Sequence, residues 1–183
     1  MIALVLMMLG LLHPDEPEPS AIWKTVVTKK PTEVELPTTV LGKGWQPSPG
    51  LKIDDLTKLE SLDEGERKAA EELAKQTVPL GIRAVGDYSL AKIGFPLNMV
   101  TVRVFVFQDA DQCRTWWRKK YQAEGWGKHY KIVASDRFAA VDSIQENKRA
   151  VAFGNVWLTA HQLGKGDEHL KALTAVIDSL TQK

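Results

Sequence analysis

The chain is predicted to be an α+β fold: an antiparallel sheet of five to six strands with helices packed on it, as an α/β/α sandwich. The clearest signal is MVTVRVFVF, where Val100, Val102, Val104 and Val106 alternate with Thr101, Arg103, Phe105 and Phe107. A period of two marks a strand. Its second half is apolar on both faces, so cover is expected on both sides. Most of the other strand-like runs are joined by short connections, which makes neighbours antiparallel. Helix-start signals at Asp63, Asp109 and Asp167 supply the helices.

Taken in order, MIALVLMMLGLL opens the chain as an uncharged run of twelve residues. As a helix it would rise about 18 Å, short of the roughly 30 Å hydrocarbon core, so no transmembrane span is expected in the mature protein. The length suits the apolar stretch of a secretory signal peptide, although no Lys or Arg precedes it and no A-x-A site follows. Residues 1–12 are read as this signal-like segment and the protein as exported, to the periplasm, the envelope or the medium. The alternative is an apolar strand of a cytoplasmic protein.

Residues 13–50 hold seven of the nine prolines and show no sustained period. Such a stretch buries too little apolar surface to offset its ordering entropy, and reads as a linker or loosely docked arm. Trp23 and Trp45 are the points where it is expected to touch the domain. Residues 51–183 form the single globular domain.

Within the domain, Asp63-Glu64-Gly65-Glu66 opens a helix that runs to about Gln76, where Val78-Pro79-Leu80-Gly81 stops it. Its apolar stripe is narrow, Ala69, Ala70, Leu73 and Ala74, which makes it peripheral. Strands follow at 82–93 and 99–107 around a turn at GFPLN. Asp109-Ala110-Asp111-Gln112 starts a second helix to 124. Strands at 129–133, 138–144, 149–153 and 156–163 come next, the last two joined by a Gly154-Asn155 hairpin turn. Asp167 then caps a final helix with Leu170, Leu173, Ile177 and Leu180 on one stripe.

Function is less legible. A net charge of +1 gives the whole molecule no field to draw in nucleic acid or an acidic membrane. The lone cysteine, Cys113, excludes an internal disulfide and a cysteine-built zinc site. RTWWRKKYQAEGWGKHY (114–130) interleaves rings and cations as a single-stranded nucleic-acid surface would. Placed on a helix at about 100° per residue, Cys113, Trp117 and Tyr121 fall within about 80° of one another. The cations Arg114, Arg118, Lys119 and Lys120 are scattered around that stripe rather than gathered along a groove. Trp117 and Tyr121 are thus core rings. Trp116, on the shoulder of the stripe, and Trp126, past a Gly125 cap, are candidate anchors for a partner protein or a small apolar ligand, with Arg118 beside them.

Other chemistry is sparse. Cys113 near a helix N-terminus lacks the surroundings of a cysteine enzyme and reads as a small buried hydrophobe. His161 and His169 are candidate metal ligands, their spacing matching no compact motif. Asp142, in FAAVDSI, needs a cation such as Arg103 or Arg149 if its face is buried. The stretches GKG (42–44) and GKGD (164–167) lack the length and the lysine–serine/threonine ending of a phosphate loop. The leading expectation is an exported, non-enzymatic domain that binds a partner protein or small apolar ligand without a cofactor. An enzyme or metal-dependent protein centred on His161, His169 and Asp142 is the first alternative. Single-stranded nucleic-acid binding is the second.

Overall fold

The computed structural model describes residues 20–123, 128–133 and 135–182. Eight strands form one sheet among them: β1 (Trp45–Ser48), β2 (Lys52–Ile53), β3 (Ile82–Lys92), β4 (Phe95–Phe107), β5 (Tyr130–Val133), β6 (Ala139–Ser143), β7 (Lys148–Phe153) and β8 (Val156–Leu163). Among the described residues three α-helices accompany them, α1 (Glu64–Thr77), α2 (Ala110–Trp117) and α3 (Glu168–Thr181). The strand order is β1-β3-β4-β8-β7-β6-β5, with β2 also paired to β3, and every pairing is antiparallel.

The strand count exceeds the expected five to six because β1 and β2 come from the stretch read as arm and domain edge. Both are short and lie along the free side of β3. Pro47 sits in β1, an edge position where a missing N–H costs no ladder bond. Nothing periodic announces such strands. Their pairing partner, eleven residues of β3, supplies the order.

The two faces of the sheet follow from the alternation. One face carries Val100, Val102, Val104 and Val106 of β4 with Leu90, Val151, Leu158 and Ala160 of its neighbours, and is closed by Leu173, Val176, Ile177 and Leu180 of α3. The other carries Phe105 and Phe107 with Val85, Ala150 and Ala152, closed by Cys113 and Trp117 of α2 and Ala70 of α1. Side chains of α3 thus pack with the first set and side chains of α1 and α2 with the second. Among α1 side chains only Ala70 and Thr77 are buried, in keeping with a peripheral helix.

The described part of the stretch read as a linker or loosely docked arm packs on the sheet. Between residues 20 and 50 the chain is fastened to the sheet, with Ile22, Trp23, Val27 and Val34 all buried. Asn155, in the β7–β8 turn, accepts a hydrogen bond from the Val27 backbone N–H at 2.8 Å and donates to the Val27 and Phe107 carbonyls at 3.2 and 3.3 Å. Gly154 in the same turn has φ 51°, and a Cβ there would collide with the Thr25 carbonyl oxygen. Tyr88 donates to the Pro31 carbonyl at 2.6 Å. Local periodicity does not report this order because each anchor is a single residue with a distant partner.

Helix starts behave as the sequence implies at two of three sites. Asp63 and Asp109 accept from the backbone N–H of Glu66 and Gln112 at 2.9 and 2.8 Å. Asp167 makes no such cap. There, Gln162 of β8 takes the role: its Oε1 accepts from the His169 backbone N–H at 3.3 Å. An orphan helix N–H is satisfied from across the fold rather than from the chain just before it.

Candidate functional site

Helix α2 places the aromatic residues. Asp109 caps it, and Cys113, Trp117 and Tyr121 are all at most 2% exposed, the buried face the sequence implies. After Trp117 the helix widens into a π-helical turn over Arg118–Ala123, which differs from the expected continuous α-helix. Such a turn adds a residue to the ring and commonly marks a functional segment. Trp126 lies outside the described residues.

Trp116 projects from the shoulder and is half-buried. Its ring lies 4.0 Å from that of Trp157 and 6.0 Å from that of Tyr121, centroid to centroid. Trp157 in turn stacks on Phe105 at 4.3 Å with 13° between planes. Offset or tilted ring contacts at these separations hold aromatic side chains in fixed geometry. Tyr121 closes the cluster against Tyr130 at 4.9 Å. Burial, then the neighbouring Tyr130, pushes the Tyr121 hydroxyl well above the usual tyrosine range, so it stays protonated.

Beside Trp116 runs an open groove of about 450 Å³ lined by Leu80, Asp109, Asp111, Gln112, Thr115 and Lys119. Leu80 is 46% exposed there. Gln112 Oε1 is buried without a hydrogen-bond partner. Trp116 is thus a wall residue of a groove. Arg118 is exposed on the π-helical turn, outside the groove lining.

Trp157 is the residue the sequence reading missed. Alternation along β8 puts it on the face of Thr159 and His161, but no local pattern states which rings it meets. Register completes the picture of that face. Ser48, Ser89, Thr101, His161 and Lys148 face one another in a row across β1, β3, β4, β8 and β7. The adjacent row holds Asp87, Arg103 and Thr159, with Arg103 bidentate on Asp87 (Nη2 to Oδ2 2.8 Å). Beyond the helices this face is polar.

The histidines part company. His161 shares its face with Trp157, whereas Gln162, next in the strand, turns to the α3 face and binds His169. His161 and His169 therefore lie on opposite sides of the sheet. Asp142 forms a bidentate pair with Arg149, at 2.6 and 2.8 Å, which meets the need for a cation on that face. No group of three His, Cys, Asp or Glu able to hold a metal ion occurs among the described residues.

His169 is buried at the start of α3. Burial first, then Arg149 and His161, lowers its pKa below the ordinary histidine value, against the opposite pull of Asp142 and Asp167. Gln162 Oε1 already accepts from the His169 backbone N–H, so its 3.3 Å contact with Nδ1 requires the proton on Nδ1. Gln162 Nε2 donates to Glu168 at 2.5 Å and to the Lys165 carbonyl at 3.2 Å. Partial burial raises the Glu168 pKa, but hydrogen bonds from Gln162 and its own backbone N–H, with Lys92 and Lys171 nearby, bring it below the usual carboxylate range. The cluster fastens α3 to the sheet.

These features define an α+β domain built on one antiparallel sheet, with a groove along the flank of α2 beside Trp116. Among solved structures, the extracellular domain of PknH from Mycobacterium tuberculosis is similar in fold, with a TM-score of 0.50 and 10% sequence identity over 87% of this chain and 98% of that one. At that identity the likeness is one of fold alone. No protein-family model matches the sequence, and no curated protein does. Among the described residues, no helix is long and apolar enough to cross a membrane.

Proposed function

We propose that this is an exported, non-enzymatic domain that binds an apolar group in the groove beside Trp116. The observation that carries the reading is Trp116 itself, held by Trp157 and Tyr121 at the wall of a groove of about 450 Å³. A rigid, half-buried tryptophan next to Leu80 offers apolar contact area without loss of side-chain freedom on binding. Asp109, Asp111 and Lys119 on the rim set orientation. The apolar group is either a small ligand or a side chain of a partner protein. We read the layering as the α/β/α sandwich, with α3 on one face and α1 and α2 on the other.

Export is supported by the apolar run at residues 1–12 and agrees with the extracellular origin of the PknH domain. It is tested by fractionation with sequencing of the mature N-terminus: an intact Met1 in the cytosol overturns it. Binding is tested by titrating the full chain with anilinonaphthalene sulfonate. Trp116→Ala is expected to weaken dye binding about fivefold or more, within the range of a lost anchor. Displacement of the dye by palmitate marks a small ligand, and displacement only by a leucine-rich peptide marks a partner's side chain. Equal dye binding by both proteins rejects the groove.

A further inference from the structure

One end of the sheet carries a patch unrelated to the groove. The β3–β4 turn at Gly94 (φ 77°) holds Ile93 and Phe95 out to solvent, 59% and 63% exposed. Leu163, at the end of β8 and opposite Met99 of β4, is 44% exposed. Two large apolar side chains exposed at one turn, with a third at the adjoining end of β8, are not what an aqueous surface selects. Their neighbours are basic. The Ile93 backbone N–H donates to the Gly44 carbonyl at 2.7 Å, which brings exposed Lys43 to the turn. Leu163 leads directly into Gly164-Lys165-Gly166, with Lys165 exposed. Lys92 Nζ lies 5.7 Å from the Phe95 ring centroid and 5.9 Å from that of Trp45. The two Gly-Lys-Gly triplets, too short to cradle a phosphate alone, thus flank a single apolar turn.

Segments 42–44, 92–95 and 163–166 contain no acid. Asp167 follows at the foot of α3, and Glu168, held by Gln162, has Lys92 nearby.

We propose that this tip docks on an anionic lipid surface, with Ile93, Phe95 and Leu163 entering the headgroup region and Lys43, Lys92 and Lys165 meeting lipid phosphates. Apolar side chains inside a ring of cations are the pairing that binds such interfaces: buried area supplies the anchor and charge supplies the attraction. The near-neutral molecule as a whole has no such attraction, so the charge acts locally. Leu163 is six residues along β8 from Trp157, about 20 Å, so the Trp116 groove stays clear of the lipid. The inference does not rest on that groove.

The test is co-sedimentation of the full chain with phosphatidylcholine vesicles, with and without about one-third phosphatidylglycerol. Binding is expected only with the anionic lipid, weakening as salt rises. Ile93→Ser combined with Phe95→Ser, both at exposed positions, is expected to cut partitioning about tenfold or more with unchanged thermal unfolding. Lys43→Glu with Lys165→Glu is expected to abolish the preference for anionic vesicles, and Trp116→Ala to leave binding intact. Absence of sedimentation with anionic vesicles at low salt overturns the proposal. So does a serine variant that sediments like the parent. A dimer in lipid-free solution that the serine variant abolishes assigns the patch to a second copy of the chain and also overturns it.

Discussion

The two faces of the sheet are made by the same strands and have different occupations. On the α3 face, valine, leucine and alanine dominate, and Val100, Val102, Val104 and Leu158 are wholly buried. On the α1–α2 face the contacts are aromatic, cover stops at Trp157, and polar rows begin at Asp87–Arg103–Thr159. The α3 side keeps a cavity of about 330 Å³ at its margin, where Ile22, Arg137, Phe138, Phe153 and Ile177 meet. On the other side the groove beside Trp116 runs along the flank of α2 rather than over the strands. The two sides of one sheet thus differ in how they are packed.

The sharpest way to test this difference is to change one residue on each face. Leu158→Ala is expected to cost about 2–5 kcal/mol, a large-to-small change in a filled core. Thr159→Ala, the next residue in the strand and on the other face, is expected to stay within about 0.5 kcal/mol. Urea unfolding of both variants measures the contrast, and similar losses would mean that the polar rows are packed after all.

A smaller effect is expected where the N-terminal arm meets the sheet. Asn155→Ala strands the Val27 N–H and two carbonyls, and should cost about 1–3 kcal/mol. Hydrogen exchange reads it directly: the Val27 amide should lose its protection while those of β4 and β8 keep theirs.

The α3 face also carries the pH dependence. His169 is held neutral in the fold, its pKa lowered by burial first and then by Arg149 and His161. As pH falls through the ordinary histidine value near 6.5, the unfolded chain takes up a proton before the folded one does. Stability should therefore fall on acidification through that window, and level off once the folded imidazole also titrates. Glu168 and Asp55, whose pKa values are lowered, lose their contribution only in the more acid carboxylate range. The midpoint of thermal unfolding between pH 7.5 and about 5.5 should drop in the parent and stay nearly flat in His169→Gln.

The smallest effect belongs to the polar rows. Asp87→Asn removes a partner of Arg103, which is about half exposed. It is expected to cost no more than about 1 kcal/mol, with a salt dependence to match. A larger loss would show the polar rows to be structural.

Much of this was readable from residues alone. The β4 alternation, the Gly154-Asn155 turn and the buried stripe of Cys113, Trp117 and Tyr121 are local periodicities or local turn chemistry. The shoulder position of Trp116 followed from the same helical spacing. Asn155 was readable as a turn residue and not as the anchor of Val27, 128 residues away. Asp167 had every mark of an N-cap, yet Gln162 satisfies the helix instead. Period two separates His161 from Gln162, but which of them faces α3 depends on where that helix packs.

By itself the sequence determined the α+β class, the long central strand, two of the helix starts and the buried face of α2. Each depends on interactions among residues a few positions apart, which spacing and capping chemistry express directly. Only the tertiary structure decided the eight-strand order, the docking of the arm, the stacking of Trp157 between Phe105 and Trp116, and the meeting of two Gly-Lys-Gly loops at one apolar turn. Those are contacts between segments far apart in the chain, set by register and packing. No local pattern encodes which distant residue arrives to fill a given space.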